Sequence, residues 1–274
     1  MDTVKSVPAR WTGRNVRLAL ISSLRKLLRQ SIVLIGFFVF WEMAPRLGLV
    51  DPAFLPPFTE VIGSLGQLVG SGELLQHFSA SILRSLTGFS LALLVAIPLG
   101  LIIGWYPVAR ELLNPVLELF RNTAALALLP VFMLLLGIGE TSKIAIVLFA
   151  CAWPILLNTI AAVGNVDPLL IKSAKSMKLS SFKLFLKVIL PASVPTIFTG
   201  IRMAGTGAIL VLIAAEMVGA KEGLGYLITY SQYNFQIPKM YAGILAISLL
   251  GLLINYGLVS LERMLSKWNS PMNG

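Results

Sequence analysis

Residues 85–104 read SLTGFSLALLVAIPLGLIIG, a stretch without one charged side chain. A helix of about 20 apolar residues is long enough to cross the hydrocarbon core of a bilayer. Comparable apolar runs recur along the chain and predict spans at about 31–45, 80–104, 116–137, 143–163, 192–219 and 241–261. The predicted fold class is therefore an all-α integral membrane protein with about six transmembrane helices.

The composition supports this prediction. Hydrophobic residues make up 57% of the 274 residues and charged residues 12%, whereas soluble domains average about 45–50% and about 25%. A net charge of +10 would suit a nucleic-acid partner. The basic residues, however, lie between and beside the apolar spans, so we expect no nucleic-acid partner.

The residue types that most catalytic and metal sites require are scarce. Cys151, in an apolar run, is the one cysteine, and His77 is the one histidine. The chain therefore cannot form a disulfide or a cysteine metal site by itself. We interpret His77 as a solvated loop residue, and we expect no catalytic or metal site and no enzyme activity.

The distribution of basic residues predicts the orientation. Fifteen of the 22 lysines and arginines fall on the side of the two termini and four on the other. By the positive-inside rule both termini are cytoplasmic. Residues 1–30 form a basic segment, in which 14–30 predicts an amphipathic helix on membrane lipid or a simple basic tail. Residues 31–265 form the transmembrane domain, and 266–274 a cytoplasmic tail.

Proline and glycine mark departures from regular helices. Residues 46–77, rich in both, are too polar to span and predict an extramembrane loop with one surface helix. Prolines within spans predict kinks or local distortion at Pro98, Pro130, Pro154 and Pro195. Gly100 and Gly104 predict a close helix approach. A flexible gate region or a tight turn is predicted after the fifth span at Gly219, Gly223 and Gly225.

Residues 172–191, KSAKSMKLSSFKLFLKVILP, hold five lysines and no acid. Asp167 and Pro168 predict a helix start, and Ser180 or Ser181 predicts a second. Apolar side chains recur at helical spacing: Leu170, Ala174, Met177, Phe182 and Phe185. A loop that only sets topology or touches acidic lipid needs lysines but not this spacing, which is typical of a helix that docks in a partner's groove.

This loop resembles the cytoplasmic "EAA" loop of binding-protein-dependent ABC importer permeases. That loop has Glu-Ala-Ala, a glycine after three more residues, and Ile/Val-Leu-Pro further on. Here Lys172-Ser173-Ala174 occupy the first positions, Lys178 replaces the glycine, and Ile189-Leu190-Pro191 stay in register. The stretches SLTGFSLALLVAIPLGLIIG, LLPVFMLLLGIGE and AAEMVGAKEGLGYLI are similar to the nitrate/sulfonate/taurine branch of that family.

The resemblance implies a type I ABC importer permease-like fold in the bacterial inner membrane. It implies the transmembrane permease subunit of an ATP-driven importer, which forms the path for a small anion such as a sulfonate, taurine, nitrate or bicarbonate. The implied partners are two ABC ATPase subunits, a second permease subunit in a homodimer, and an extracytoplasmic substrate-binding protein. A secondary transporter driven by an ion gradient is the alternative.

No G-x-x-x-x-G-K-[ST] motif occurs, so ATP and Mg would be used by the partner ATPase, and we expect no cofactor on this chain. The residues expected to couple to the ATPase are Leu170, Lys172, Ala174, Lys175, Met177, Lys178, Phe182 and Phe185.

Polar residues within the spans are candidates for the translocation path or its gate, because charge at membrane depth is costly. These are Arg84, Arg202 and Glu216. A structural role is the alternative, with Glu216 pairing with an arginine or with backbone N–H groups, and each arginine snorkelling to the interface. Glu118 and Arg121, three residues apart, are expected to pair.

Overall fold

The secondary structure of residues 32–265, which this computed structural model describes, is helical, and no strand occurs among them. The chain forms two compact units, residues 1–63 and residues 64–274. The predicted amphipathic helix at 14–30 and the tail at 266–274 lie outside the described residues.

In the first unit, helix α1 covers residues 32–46. Fifteen helical residues extend about 22 Å, less than the hydrocarbon thickness of about 30 Å. The first predicted span, and with it the count of six, therefore stays a prediction.

A polar contact joins the end of α1 to the segment that follows in the same unit. Glu42 forms an ion pair with Arg46 at 2.6 Å and accepts a hydrogen bond from the backbone N–H of Thr59 at 2.9 Å. Trp41 donates through Nε1 to the carbonyl of Pro56 at 3.1 Å. These bonds fold the proline-rich segment back against α1.

The remaining helices follow in chain order with short connections. They are α2 (Phe58–Gly70), α3 (Glu73–Trp105), α4 (Pro107–Arg121), a 3₁₀ turn (Ala125–Leu128), α5 (Leu129–Leu136), α6 (Glu140–Gly164), α7 (Pro168–Ser176), α8 (Ser181–Leu184), a π-helical turn (Phe185–Ile189), α9 (Leu190–Glu216), α10 (Leu224–Tyr233) and α11 (Ile237–Leu265). The helix predicted within the loop 46–77 is present as α2.

Four continuous helical segments in the described range are long and apolar enough to cross a membrane: Glu73–Trp105, Glu140–Gly164, Ser181–Glu216 and Ile237–Glu262. The fifth candidate is a bent span, in which Pro107–Arg121 and Ala125–Leu136 meet at an angle of 84°. These segments coincide with the five later spans predicted from the sequence, so the all-helical membrane fold is confirmed.

Glycines set the distances between α3, α6 and α9. A Cβ added at Gly100 would lie 2.6 Å from Cβ of Thr159, and one at Gly200 would lie 2.6 Å from Cβ of Asn158. Gly104 meets Val163 in the same way at 2.8 Å. The predicted close approach at Gly100 and Gly104 is thus confirmed, and small residues bring the backbones together as in other membrane helix pairs.

Two predicted breaks differ from the structure. Pro130 does not interrupt a helix but lies in the first turn of α5, where a missing N–H costs nothing. The second helix of the lysine-rich loop does not end before the fifth span, because helical structure continues from Ser181 to Glu216. A π-helical turn lies directly before Pro191 in this continuous helix. In it the N–H of Leu190 donates to the carbonyl of Phe185, five residues back.

Candidate functional site

Arg84, on α3, is the centre of a buried ionic cluster. Its side chain is only 2% exposed. Nη1 donates to Oε1 of Glu216 at 2.8 Å, and Nη2 and Nε both donate to the carboxylate of Glu140. The guanidinium thus forms a bidentate pair with Glu140, the geometry that gives strong charge-assisted hydrogen bonds.

Glu216, the last residue of α9, has a fully buried carboxylate with several donors. Besides Arg84, it accepts from Oγ of Ser81 at 2.8 Å and from the backbone N–H of Gly225 at 3.0 Å. A buried carboxylate is tolerated only when it is paired and hydrogen-bonded. The structural alternative considered for Glu216, pairing with an arginine and a backbone N–H, describes its contacts.

The same cluster forms hydrogen bonds with the backbone of the segment between α9 and α10. The carbonyl of Glu222 accepts from Nη1 of Arg84 at 2.7 Å, and the N–H of Leu224 donates to Oγ of Ser81 at 2.8 Å. Gly223 has φ +119°, and a Cβ there would lie 2.4 Å from the Glu216 carboxyl carbon. Only glycine fits this position, so the glycines after α9 form a tight turn around the carboxylate.

Further charged and polar side chains form hydrogen bonds and ion pairs near this turn. His77, which the sequence suggests as a solvated loop residue, is instead buried on α3 and accepts from the N–H of Gly223 at its Nδ1, 3.2 Å away. Glu73 pairs with Lys239 at 2.7 Å. Lys143, 2% exposed, donates to the carbonyls of Gly139 at 2.9 Å and Gly219 at 3.5 Å. These bonds join α3 to α11 and to the turn before α10, and they join α6 to the segment after α9.

Arg202 lies apart from this cluster. It pairs with Glu262 of α11 at 3.1 Å, and its side chain is 42% exposed. Of the three candidates for the path or gate, the structure therefore brings Arg84 and Glu216 into contact and leaves Arg202 elsewhere. A role of each in transport stays a prediction.

Sequence reasoning missed Ser81, Glu140 and Glu222 as partners of Arg84 and Glu216. Glu140 and Glu222 are acids at the ends of predicted spans, and an unpaired Arg84 within a span demands such acids nearby. That charge balance was the available signal. It could not choose between the acids, because the partners lie 56 and 138 positions from Arg84 along the chain.

The lysine-rich loop begins as predicted. Asp167 caps α7 by accepting the N–H of Leu169 at 2.8 Å, and Pro168 follows in the first turn. At the other end Lys178 has φ +55°. The N–H of Lys178 donates to the carbonyl of Lys175 at 2.9 Å, and that of Leu179 to Ala174 at 3.3 Å. This is a Schellman ending with lysine in the left-handed position usually taken by glycine.

The apolar residues expected to couple to the ATPase fall into two groups. Ala174 is buried, and Phe185 packs against Trp105 with ring centroids 5.2 Å apart. Leu170, Met177 and Phe182 are exposed, the last two by 76% and 73%. The loop is thus anchored from within while its outer surface remains apolar. Three exposed lysines border this surface: Lys172, Lys175 and Lys178.

Residues 96–268 match the family model described as "binding-protein-dependent transport system inner membrane component". The chain belongs to this family. It is a multi-pass inner-membrane permease subunit of a transport system and not an enzyme, and the family implies ATPase and binding-protein partners. The match favours this class over the secondary transporter that the sequence left open.

Relatives of this permease include anion-transport subunits. It is 34% identical over 239 residues to the taurine transport system permease protein TauC of Escherichia coli (strain K12), covering 85% of this chain and 86% of that protein. It is 32% identical to the putative aliphatic sulfonates transport permease protein SsuC of Bacillus subtilis (strain 168), covering 85% of each chain. The bicarbonate transport system permease protein CmpB of Synechocystis sp. is 29% identical, with 85% of this chain and 86% of that protein covered.

The fold of the permease is similar to a solved structure of the MetNI methionine ABC transporter in an inward-facing conformation. The TM-score is 0.60 at 17% sequence identity, and the match covers 68% of this chain and 93% of that one. At that identity the likeness concerns the fold alone. Among residues 32–265, no group of three or more His, Cys, Asp and Glu side chains is placed to hold a metal ion.

The buried cluster predicts a large stability effect for Arg84→Gln. The change leaves the Glu216 carboxylate buried without its cation, which we expect to cost about 3–5 kcal/mol. Thermal unfolding of the detergent-purified protein measures it. Arg202→Gln is the matched control, because it breaks a half-exposed ion pair of about 0–1 kcal/mol. Equal losses in the two variants would contradict a special role for the cluster.

The positive φ of Lys178 predicts that Lys178→Gly stabilises the permease by about 1 kcal/mol, since the left-handed conformation is costly for a residue with a Cβ. Lys178→Ala removes the same charge but keeps the Cβ, so we expect no comparable gain. Thermal unfolding of both variants separates conformation from charge. A gain in the alanine variant as large as in the glycine variant would show that charge is the cause.

Proposed function

We propose that this permease imports a small sulfonate or a related oxyanion that an extracytoplasmic binding protein delivers. The observation that carries the proposal is the identity of 34% to a taurine permease over most of both chains. The aliphatic sulfonate and bicarbonate relatives share the same chemistry, a compact anionic group with oxygen acceptors.

We further propose that the lysine-rich loop docks in a groove of the partner ATPase. Leu170, Met177 and Phe182 would fill the groove, since exposed apolar side chains at helical spacing suit that mode of recognition. Lys172, Lys175 and Lys178 would face an acidic rim on the ATPase. This loop would then be cytoplasmic, as would both termini, consistent with the excess of basic residues on that side.

The proposed assembly contains two copies of this permease, two ATPases and one binding protein. Closure of the ATPase dimer on ATP and Mg would move the two loops and change the pore from inward-facing to outward-facing. Alternation between two global states needs an element that differs in energy between them. We assign that role to the Arg84–Glu216 cluster, which holds the turn after α9 against α3 and α6 and would act as the outer gate.

The docking role of the loop is tested by Phe182→Ser. Loss of an exposed apolar anchor is expected to reduce co-purification of the ATPase by about tenfold, a difference of about 1.4 kcal/mol, while the amount of permease in the membrane is unchanged. Tyr233→Ser is the matched control, because Tyr233 is also an exposed aromatic, at 81%, but is the last residue of α10, outside the lysine-rich loop. Equal recovery of the ATPase with both variants would contradict docking through this surface.

The transport function is tested in proteoliposomes that contain the permease, its ATPase and its binding protein. We expect uptake of labelled taurine, ethanesulfonate or bicarbonate that requires ATP and stops when a non-hydrolysable ATP analogue is supplied. The binding protein's melting temperature, measured with each compound, identifies the delivered ligand. Uptake that persists without ATP hydrolysis and follows an ion gradient would favour the secondary transporter instead.

A further inference from the structure

The bent span contains a break at membrane depth. At one end of α6, a Cβ on Gly164 would lie 2.4 Å from Nη1 of Arg110, so the start of α4 lies beside the end of α6. At the other end of α4, Phe120 stacks on Trp153, with ring centroids 4.9 Å apart and planes 8° from parallel. Trp153 is near the middle of the α6 span. Arg121 and the break at 122–124 therefore lie close to the midplane.

A cavity of about 430 Å³ opens beside this break. Arg121, Trp153, Asn158 and Met203 line it together with aliphatic residues of α6, so α4, α6 and α9 all contribute. Non-helical backbone at membrane depth is tolerated where it is buried in protein or lines a water-filled cavity. The break follows directly after Arg121, which lines this cavity.

The polar groups around the cavity have unused hydrogen-bonding capacity. Arg121 has five N–H donors, and its ion pair is with Glu118, Nη1 to Oε1 at 3.3 Å, while 61% of its side chain is exposed. Nε1 of Trp153 is buried without a hydrogen-bond partner in the described part of the chain.

Arg84, in contrast to Arg121, has its hydrogen-bond donors occupied by other residues of the chain. Its guanidinium already contacts Glu140, Glu216 and the carbonyl of Glu222, and its side chain is 2% exposed. An anion could reach it only after the cluster had separated. Arg121 can instead accept an anion without losing any contact other than that with Glu118.

We propose that Arg121 and this cavity form a mid-membrane subsite for the sulfonate or other oxyanion group of the transported solute. The inference rests on the proposed function and adds the residue that meets the anion inside the membrane. A charged residue at this depth is costly and favours function, and broken helices near the midplane are where other transporters bind their substrates. Glu118 lowers the local positive charge, which keeps binding weak enough for release.

Reconstituted transporter with Arg121→Gln tests the subsite. We expect uptake of labelled taurine, ethanesulfonate or bicarbonate, whichever the wild type carries, to fall at least about tenfold, the value of one charge-assisted contact. ATPase activity stimulated by the binding protein should stay within about twofold of the wild type, because the coupling loop is untouched. Arg121→Lys, which keeps the charge, should transport at an intermediate rate.

Arg110→Gln is the matched control, since it removes the same charge from the same face of α4 at the far end of the helix, and its uptake should match the wild type. Normal uptake with Arg121→Gln overturns the subsite, as does an equal loss with Arg110→Gln. Absence of ATP-dependent uptake in the wild type overturns the proposed function itself, and with it the inference.

A labelling experiment keeps the proposal testable if Arg121 variants fail to assemble. In a Cys151→Ala background, Met203→Cys should react with a sulfonate-bearing methanethiosulfonate reagent, and the transported anion should slow the reaction at least about twofold by occupying the cavity. Leu94→Cys is the control, because Leu94 is exposed by 71% on the apolar helix α3 and lies outside this cavity. Equal labelling of the two positions, or no protection, overturns the proposal.

Discussion

The close approach of α3, α6 and α9 is the constraint on which the other features depend. Lipid is as apolar as a leucine side chain, so helices in a membrane associate through packing and polar contacts and not through exclusion of water. Gly88, Gly100 and Gly200 remove the side chains that would otherwise separate these helices. Because the backbones meet at these glycines, Arg84 can reach Glu216 across the helix boundary and form a fully bonded pair.

Arginines within the candidate spans differ in what surrounds them. Arg84 is enclosed by acids and a carbonyl, and its hydrogen bonds join α3 to α6, to α9 and to the turn after α9. Arg121 has one acid beside it and an open cavity, so its guanidinium remains available. Burial and the number of acceptors, more than residue type, therefore distinguish the fully paired Arg84 from Arg121, the arginine proposed to meet the solute.

Much of the fold followed from patterns local in sequence. Apolar length located the spans, and the Asp167–Pro168 pair located the start of α7, because both depend on neighbouring residues. The residues around Arg84 were not predictable in the same way, since they meet only after four helices have packed. The break at 122–124 was also missed, because residues 116–137 were interpreted as one span although Arg121, Asn122 and Thr123 are polar. For Lys178, sequence left open a costly turn or a longer helix, and the structure has the turn.

The helix from Ser181 to Glu216 connects the lysine-rich loop to the buried cluster without interruption. Its 36 residues form a rod of about 54 Å. If such a rod tilts by about 5° around its centre, each end moves by roughly 2.4 Å, a displacement comparable to the length of a hydrogen bond. In the proposed mechanism, a rocking of the loop by this angle would therefore shift Glu216 relative to Arg84 by an equal distance at the far end.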